Sequence, residues 1–266
     1  MSVFIDVLIK TIIETAYLTG AIILIGFFLG VLRNSSIKNF QRSFGMKAVM
    51  VTAFVGVPIH ELSHAILAVI FRHHINEVKL LQKPDANGVL GYVNHSYNPK
   101  SIYEEVGNFF IGIAPIFGGI ISIMVLMRFL IKDSYDKFVG ILIQNFHITT
   151  LNKEIFNSIV NSYLGLIKSI FSLSNFKNPY FYLFMFFAIC ISSHISLSSA
   201  DVKGASRGLA IIFIILFLLN IFGIINNVSK FSIERYNIFI TSFLFIAVIL
   251  SLITFIISLI FTIIKK

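Results

Sequence analysis

Long apolar runs alternate with short polar segments along most of the chain. An α-helix needs roughly 20 mostly apolar residues to cross the hydrocarbon core of a bilayer. Six runs meet this requirement, at about 7–32, 48–71, 104–131, 180–200, 207–227 and 237–264. The longest spacers, 72–103 and 132–179, leave no room for a separate soluble catalytic domain. The pattern therefore predicts an all-α polytopic membrane protein with about six transmembrane helices.

The first spacer has the pattern of a β-hairpin. Two short β-prone runs, EVKLLQ and GVLGYV, flank the turn residues KPDAN, and Gly88 suits a positive φ angle. We predict a small hairpin at about 75–94. The histidines of this spacer are expected to be solvated: His73, His74 and His95.

The second spacer contains an amphipathic segment. Apolar residues recur with a helical period over 155–170, and Asn157, Asn161 and Lys168 fall on the opposite face. This pattern predicts a helix that lies in the membrane interface.

We expect the whole chain, 1–266, to form one integral membrane domain. A first transmembrane helix and a basic loop occupy 1–47, a central core occupies 48–206, and C-terminal transmembrane helices occupy 207–266. The loop over 33–47 is expected to hold its basic residues outside the lipid.

Composition and charge narrow the class of protein. Hydrophobic residues make up 57% of the chain and charged residues 12%. The net charge of +9 lies in short Lys/Arg clusters between apolar runs, where it suits lipid headgroups, so nucleic-acid binding is not expected. Cys190 is the single cysteine, which excludes an intrachain disulfide and a cysteine-based zinc cluster. We expect a multi-pass protein of the cell membrane.

The segment PIHELSH, at 58–64, places ionisable side chains inside a predicted membrane helix. A spacing of four puts His60 and His64 on one helix face, where two imidazoles can bind one metal ion, with Glu61 beside them. Zinc with three protein ligands keeps a position for water and lowers its pKa toward about 7, and a neighbouring carboxylate can take the proton. This is the H-E-x-x-H pattern of metal-assisted peptide hydrolysis. Since these groups are unfavourable in lipid unless paired or metal-bound, we favour a zinc site over two metal-free interfacial histidines.

A third zinc ligand must come from elsewhere in the chain. The segment SSHISLSSADVKGASRG offers Asp201, between two predicted spans, and His194, seven residues earlier. Both face one way if this segment is helical. We favour Asp201 as the ligand and His194 as a residue that supports the ligands or contacts substrate. The alternatives are a solvated carboxylate at the end of a helix and a buried histidine with its hydrogen bonds satisfied.

Small residues dominate GNFFIGIAPIFGG, at 107–119. They predict a face for close helix packing, and Pro115 within it permits local unwinding. Asn108 is the chemically interesting member of this segment. A buried amide there could hydrogen-bond a substrate backbone or a developing oxyanion.

Together these features resemble membrane-embedded zinc metalloproteases of the site-2 protease type. The resemblance is carried by HELSHA in a transmembrane helix, the following hairpin region and a later segment that brings in an aspartate, within about 48–206. It implies that His60, His64 and Asp201 bind zinc, that Glu61 activates water, and that the substrate is a membrane-anchored protein cut in or near the bilayer. The family's Leu-Asp-Gly motif is replaced here by Ala-Asp-Val-Lys-Gly, and the spacers leave no room for a PDZ domain.

Two other classes of protein fit the same composition. A transporter or channel could use the His, Glu and Asp side chains as an ion pathway, and would hold no metal tightly. A non-catalytic membrane scaffold could bind client helices, but would have no reason to keep His60, Glu61 and His64 together. We favour the hydrolase, with Glu61 acting first as general base and then as proton donor to the leaving amine.

Overall fold

A computed structural model describes residues 2–86, 88–148, 152–224 and 230–265. Within these ranges the chain forms nine helices and two strands. They are α1 (Ser2–Phe44), α2 (Met46–Ile70), β1 (His74–Lys79), β2 (Tyr92–Ser96), α3 (Ile102–Leu130), α4 (Lys132–Phe146), α5 (Lys153–Ile170), α6 (Leu173–Phe176), α7 (Pro179–Ser192), α8 (Ser199–Ile221) and α9 (Lys230–Ile264).

Five of the described helices, α1, α2, α3, α8 and α9, are long and apolar enough to cross a membrane. Their outer faces carry large apolar side chains. Phe27, Phe54 and Phe129 are 74%, 71% and 81% exposed. Such rings suit lipid tails better than water, and a spanning helix satisfies its own backbone hydrogen bonds. The architecture is that of an all-α membrane protein with a small β-hairpin.

The predicted span at 180–200 is not one continuous helix. It consists of α7, whose 14 residues reach about 21 Å, less than the roughly 30 Å of the hydrocarbon core. The chain leaves the helical conformation after α7, and Ser198 then caps the start of α8 by accepting a hydrogen bond from the Asp201 N–H. A serine cap thus divides the apolar run, and six full spans are not confirmed.

The predicted basic loop at 33–47 is also wrong. Helix α1 continues to Phe44, since no glycine or proline interrupts 33–44, and it ends before Gly45, whose φ angle is +71°. Glycine adopts this left-handed conformation without steric penalty. Arg33 therefore lies inside a helix rather than in a loop.

The hairpin forms with its strands further from the turn than the β-prone runs suggest. Strands β1 and β2 pair antiparallel, and the segment 80–91 connects them. Within that segment the Gln82 N–H donates to the Leu90 carbonyl over 2.7 Å. Gly88 has the predicted positive φ, at +76°. Asn87 of the predicted turn lies outside the described residues.

The amphipathic segment at 155–170 is helical, as predicted, and forms most of α5. Its buried residues include Tyr163, Leu166 and Ile170, while Asn161 and Lys168 are exposed. Helix α4, which the sequence analysis did not predict, packs against α5 and α9.

Helix α3 packs against α2, α7 and α8. Gly118 faces the Ser63 side chain of α2, and Gly112 faces Ala205 of α8, which confirms the predicted packing face. The expected unwinding at Pro115 does not occur, because α3 is helical from Ile102 to Leu130. Close approach of α3 to both neighbours is what brings residues of α2 and α8 together.

Candidate metal centre

The two histidine rings of HELSH lie on the same face of α2, with one nitrogen of each ring close to the other. The Nε2 atoms of His60 and His64 lie 3.2 Å apart. Since residues four apart on a helix share a face, this part of the arrangement follows directly from the sequence.

Backbone carbonyls orient both rings. Nδ1 of His60 lies 3.0 Å from the His194 carbonyl oxygen, and Nδ1 of His64 lies 2.8 Å from the Ile111 carbonyl oxygen. A carbonyl can only accept, so each Nδ1 carries the proton and donates it. Each Nε2 then directs a lone pair toward the other histidine. Two facing lone pairs in a buried site repel each other unless a cation lies between them.

Asp201 completes the group. One carboxylate oxygen, Oδ1, lies 3.2 Å from Nε2 of His64, and Oδ2 lies 3.8 Å from Nε2 of His60. One donor atom from each of the three residues lies within 4.8 Å of the others. The structure thus brings together the three residues singled out from the sequence.

The position of Asp201 differs from the expected one between two spans. It is the third residue of α8, and its Oδ2 accepts a hydrogen bond from the Ser198 N–H over 2.6 Å. Ser198 and Asp201 form a capping box, which holds the carboxylate at the start of the helix. The signal for this was present in the sequence as a serine followed three positions later by an aspartate.

The donor set fits zinc. Zinc accepts imidazole nitrogen and carboxylate oxygen at about 2.0–2.2 Å, and two tetrahedral ligands at such distances lie about 3.3 Å apart. The 3.2 Å separations, from His64 Nε2 to His60 Nε2 and to Asp201 Oδ1, match this spacing. Three protein ligands also leave one position open, as in catalytic rather than structural zinc sites. His60, His64 and Asp201 are the residues that would hold the ion.

Glu61 lies beside this group in the same cavity. Only 7% of the residue is exposed, and its Cγ packs close to Gly91 of the loop between the strands. A Cβ at Gly91 would lie 3.0 Å from Cγ of Glu61 and 2.6 Å from Cγ1 of Val57. The loop therefore rests on α2 directly over the HELSH turn, and partly shields Glu61 from solvent.

A cavity of about 660 Å³ contains the site. Its volume falls within the usual range of about 300–1,000 Å³ for ligand pockets. Five parts of the fold line it: α1, α2 and α3, the hairpin with its loop, and the segment from His194 into the first turns of α8. Residues far apart in the chain thus share one enclosed space.

His194 is buried near the site, but its ring is not grouped with the metal-binding atoms. Its Nε2 lies 3.3 Å from Oγ1 of Thr52, and the residue is 3% exposed. The segment around it is not helical, so His194 and Asp201 do not share a helix face as expected. What His194 supplies to the site is the carbonyl that orients His60.

Asn108 lines the cavity and is 5% exposed. Its Nδ2 donates to Oε2 of Glu105 over 3.3 Å. The structure thus places Asn108 at the cavity wall, and its contact with a substrate backbone or oxyanion stays a prediction.

His73 and His95 are not the solvated residues that the sequence suggested. His73 is 5% exposed, and its Nε2 donates to the Glu104 carbonyl over 2.8 Å. Its Nδ1 then accepts from Nδ1 of His95 over 2.9 Å. Burial, followed by the nearby charges of His73 and His64, lowers the pKa of His95 to about 4. His74 is exposed, as predicted.

Sequence reasoning missed Arg33 of α1 as a contributor to the cavity, and it did not place Leu90 and Gly91 of the predicted hairpin against α2. The uninterrupted stretch after Arg33, with its first glycine at Gly45, was a signal that the helix continued. No comparable signal in the sequence places the loop over α2.

Comparisons with protein-family models, with curated proteins and with solved structures find no match for this chain. The site is therefore interpreted from its own geometry.

Proposed function

We propose that this protein is an intramembrane zinc metallopeptidase that hydrolyses peptide bonds of membrane-embedded or membrane-proximal protein segments. The observation that carries the proposal is the convergence of His60, His64 and Asp201 on one point, with Glu61 beside them in the same cavity. The resemblance of the HELSH helix, the hairpin and the Asp201 segment to site-2 proteases points to the same activity.

The tautomers support a resident cation. Both Nδ1 atoms face carbonyl oxygens, so in the neutral imidazoles that can bind a metal the two Nε2 lone pairs and the Asp201 carboxylate converge. A bound zinc ion would neutralise these groups and supply Lewis-acid activation of water and of the scissile carbonyl.

Glu61 has the position and the chemistry of the proton carrier. Glu61 follows His60 directly in the chain and lines the same cavity, and it is not one of the three grouped donors. Its carboxylate would accept a proton from the attacking water and return it to the nitrogen of the leaving amine. Positioned proton transfer of this kind contributes about 10²- to 10⁴-fold to rate.

The cavity is suited to an extended peptide. The loop residues Leu90 and Gly91 and the strand residue Tyr92 line it, so a bound segment would lie beside the hairpin. A transmembrane helix must lose its internal hydrogen bonds before one of its peptide bonds can react, and pairing with other backbone replaces them. Asn108 offers a further donor at the α3 wall.

Metal content and cleavage measured on the same detergent-purified protein test the proposal. Wild type is expected to hold about one zinc per chain and to cleave fluorescein-labelled apolar peptides, with products identified by mass spectrometry. His60→Ala and Asp201→Asn should lose both zinc and cleavage. Glu61→Gln should keep zinc and lose cleavage by at least about 100-fold.

Glu77→Gln is the matched control, since Glu77 lies exposed on β1. This variant should behave as wild type. Well-folded wild type without zinc would contradict the proposal and favour the transporter or the scaffold. Absence of tightly bound zinc, together with proton or ion flux that depends on Glu61, would indicate a transporter.

A further inference from the structure

Arg33 is the basic residue among those that line the cavity. It lies on α1, across the cavity from the HELSH helix, and its guanidinium is close enough to Asp201 for their charges to interact. The fold therefore places a permanent positive charge in the same enclosed space as the candidate zinc ligands.

The hydrogen-bonding capacity of Arg33 is largely unused. Its Nε is buried and has no hydrogen-bond partner among the described residues. Its Nη1 donates to Oδ1 of the neighbouring Asn34 over 3.2 Å. Among the described residues, no carboxylate oxygen lies within 4.0 Å of the Arg33 guanidinium nitrogens. Arginine carries five N–H donors in a fork that matches a carboxylate.

The carboxylates of the cavity have other assignments. Asp201 belongs to the candidate metal-binding group and accepts a hydrogen bond from the Ser198 N–H, and Glu61 lies beside the histidines on α2. Leaving a buried donor unpaired is unfavourable, and more so when the group is charged. Among the described residues no carboxylate forms an ion pair with Arg33, so its buried Nε is open to a carboxylate that enters the cavity.

We propose that Arg33 binds a carboxylate of the substrate, so that the cavity selects peptide segments with an acidic side chain or a free C-terminus near the bond to be cleaved. The peptide nature of the substrate rests on the proposed function, whereas binding of the carboxylate rests on Arg33 alone. Arg33 is a specificity-determining residue in this scheme.

Peptide binding to the full-length Glu61→Gln protein in detergent tests the inference without turnover. Fluorescence anisotropy compares three fluorescein-labelled ten-residue apolar peptides. The first has one central Glu and an amidated C-terminus, the second has Gln in its place, and the third has Gln and a free C-terminal carboxylate. We expect at least one of the two carboxylate peptides to bind about ten-fold more tightly than the neutral one.

Arg33→Gln in the same background should abolish this preference and leave the affinity of the neutral peptide unchanged. Arg33→Lys should restore part of it, because lysine keeps the charge but not the fork. Arg42→Gln, which removes an exposed arginine from the same helix, is the matched control. Thermal unfolding of each variant identifies loss of fold.

Tighter binding of the first peptide would indicate that Arg33 binds an internal acidic side chain. Tighter binding of the third would indicate that it binds a C-terminal carboxylate. A preference that persists undiminished in folded Arg33→Gln protein, equal binding of all three peptides to the Glu61→Gln protein, or no binding of any of them would overturn the inference. Failure of the proposed function gives a different result. Wild type then cleaves nothing, while the Arg33-dependent preference remains.

Discussion

The ring of His60 is held by the backbone of His194, through the hydrogen bond from Nδ1 of His60 to the His194 carbonyl oxygen at 3.0 Å. The contact joins α2 to the non-helical segment between α7 and α8. It also sets the tautomer, and so directs the second nitrogen of His60 toward His64 and Asp201.

Because the acceptor is a carbonyl, replacing the His194 side chain should leave the metal site intact. We expect His194→Ala to keep about one zinc per chain, although its thermal stability falls as a buried ring is lost. Loss of a primary ligand in His60→Ala should remove the zinc. The zinc content of the purified His194→Ala and His60→Ala proteins checks these two expectations. His74→Ala, which replaces an exposed histidine, is the control. Absence of zinc in a folded His194→Ala protein would instead show that the imidazole of His194 is a metal ligand.

Gly112 lets α8 approach α3, and so sets the position of Asp201. A Cβ at Gly112 would lie 2.7 Å from the Asp201 carbonyl oxygen and 2.8 Å from Cβ of Ala205. We expect Gly112→Ala to displace the first turn of α8 and to weaken zinc affinity about 10- to 100-fold, the range typical of lost support around a metal ligand. Competition with a zinc-selective chelator measures the affinity.

The matched control is Gly204→Ala on α8, the helix that carries Asp201, where an added Cβ has nothing within 4 Å. Zinc affinity should be unchanged in this variant, since alanine also favours the helix. Equal affinity in both variants would show that Gly112 does not position Asp201.

Gly91 permits the hairpin loop to lie against α2. A Cβ there would lie 2.6 Å from Cγ1 of Val57 and 2.8 Å from the Lys79 carbonyl oxygen. We expect Gly91→Ala to lower the free energy of unfolding by about 1–3 kcal/mol, as overpacking does, and to reduce cleavage because Glu61 loses its cover. Thermal unfolding and peptide cleavage are the measurements.

Gly20→Ala provides the comparison for Gly91, because its Cβ would meet nothing within 4 Å on α1. Stability of this variant should match or slightly exceed wild type. Wild-type stability and cleavage in Gly91→Ala would mean that the loop moves away at little cost.

The partly buried His95 should make stability fall in mild acid. The pKa of His95 is lowered from 6.5 to about 4, first because of burial. The unfolded chain then binds a proton at a higher pH than the folded chain does. Stability is therefore fully present above pH 6.5 and is lost as the pH falls from 6.5 toward 4. Thermal unfolding between pH 7.5 and pH 5 should show a shallower decline in His95→Asn than in wild type.

Local chemistry alone was enough to predict much of this protein. The apolar runs identified the long helices, since only a helix satisfies its own backbone in lipid. The spacing of His60 and His64 placed their rings on one face, because the helical repeat determines it. Gly88 indicated the turn, since it can adopt a positive φ.

Tertiary structure decided the rest. The approach of Asp201 to the histidines depends on contacts of α3 with α2 and α8, and no periodicity in the sequence encodes a distance between helices. Arg33 lines the cavity because α1 continues past the end of the predicted membrane span. Gly91 lines it because the loop folds back onto α2. The sequence by itself determined which residues could bind a metal, through local spacing and lipid solvation. Only packing between distant segments determined which of them meet.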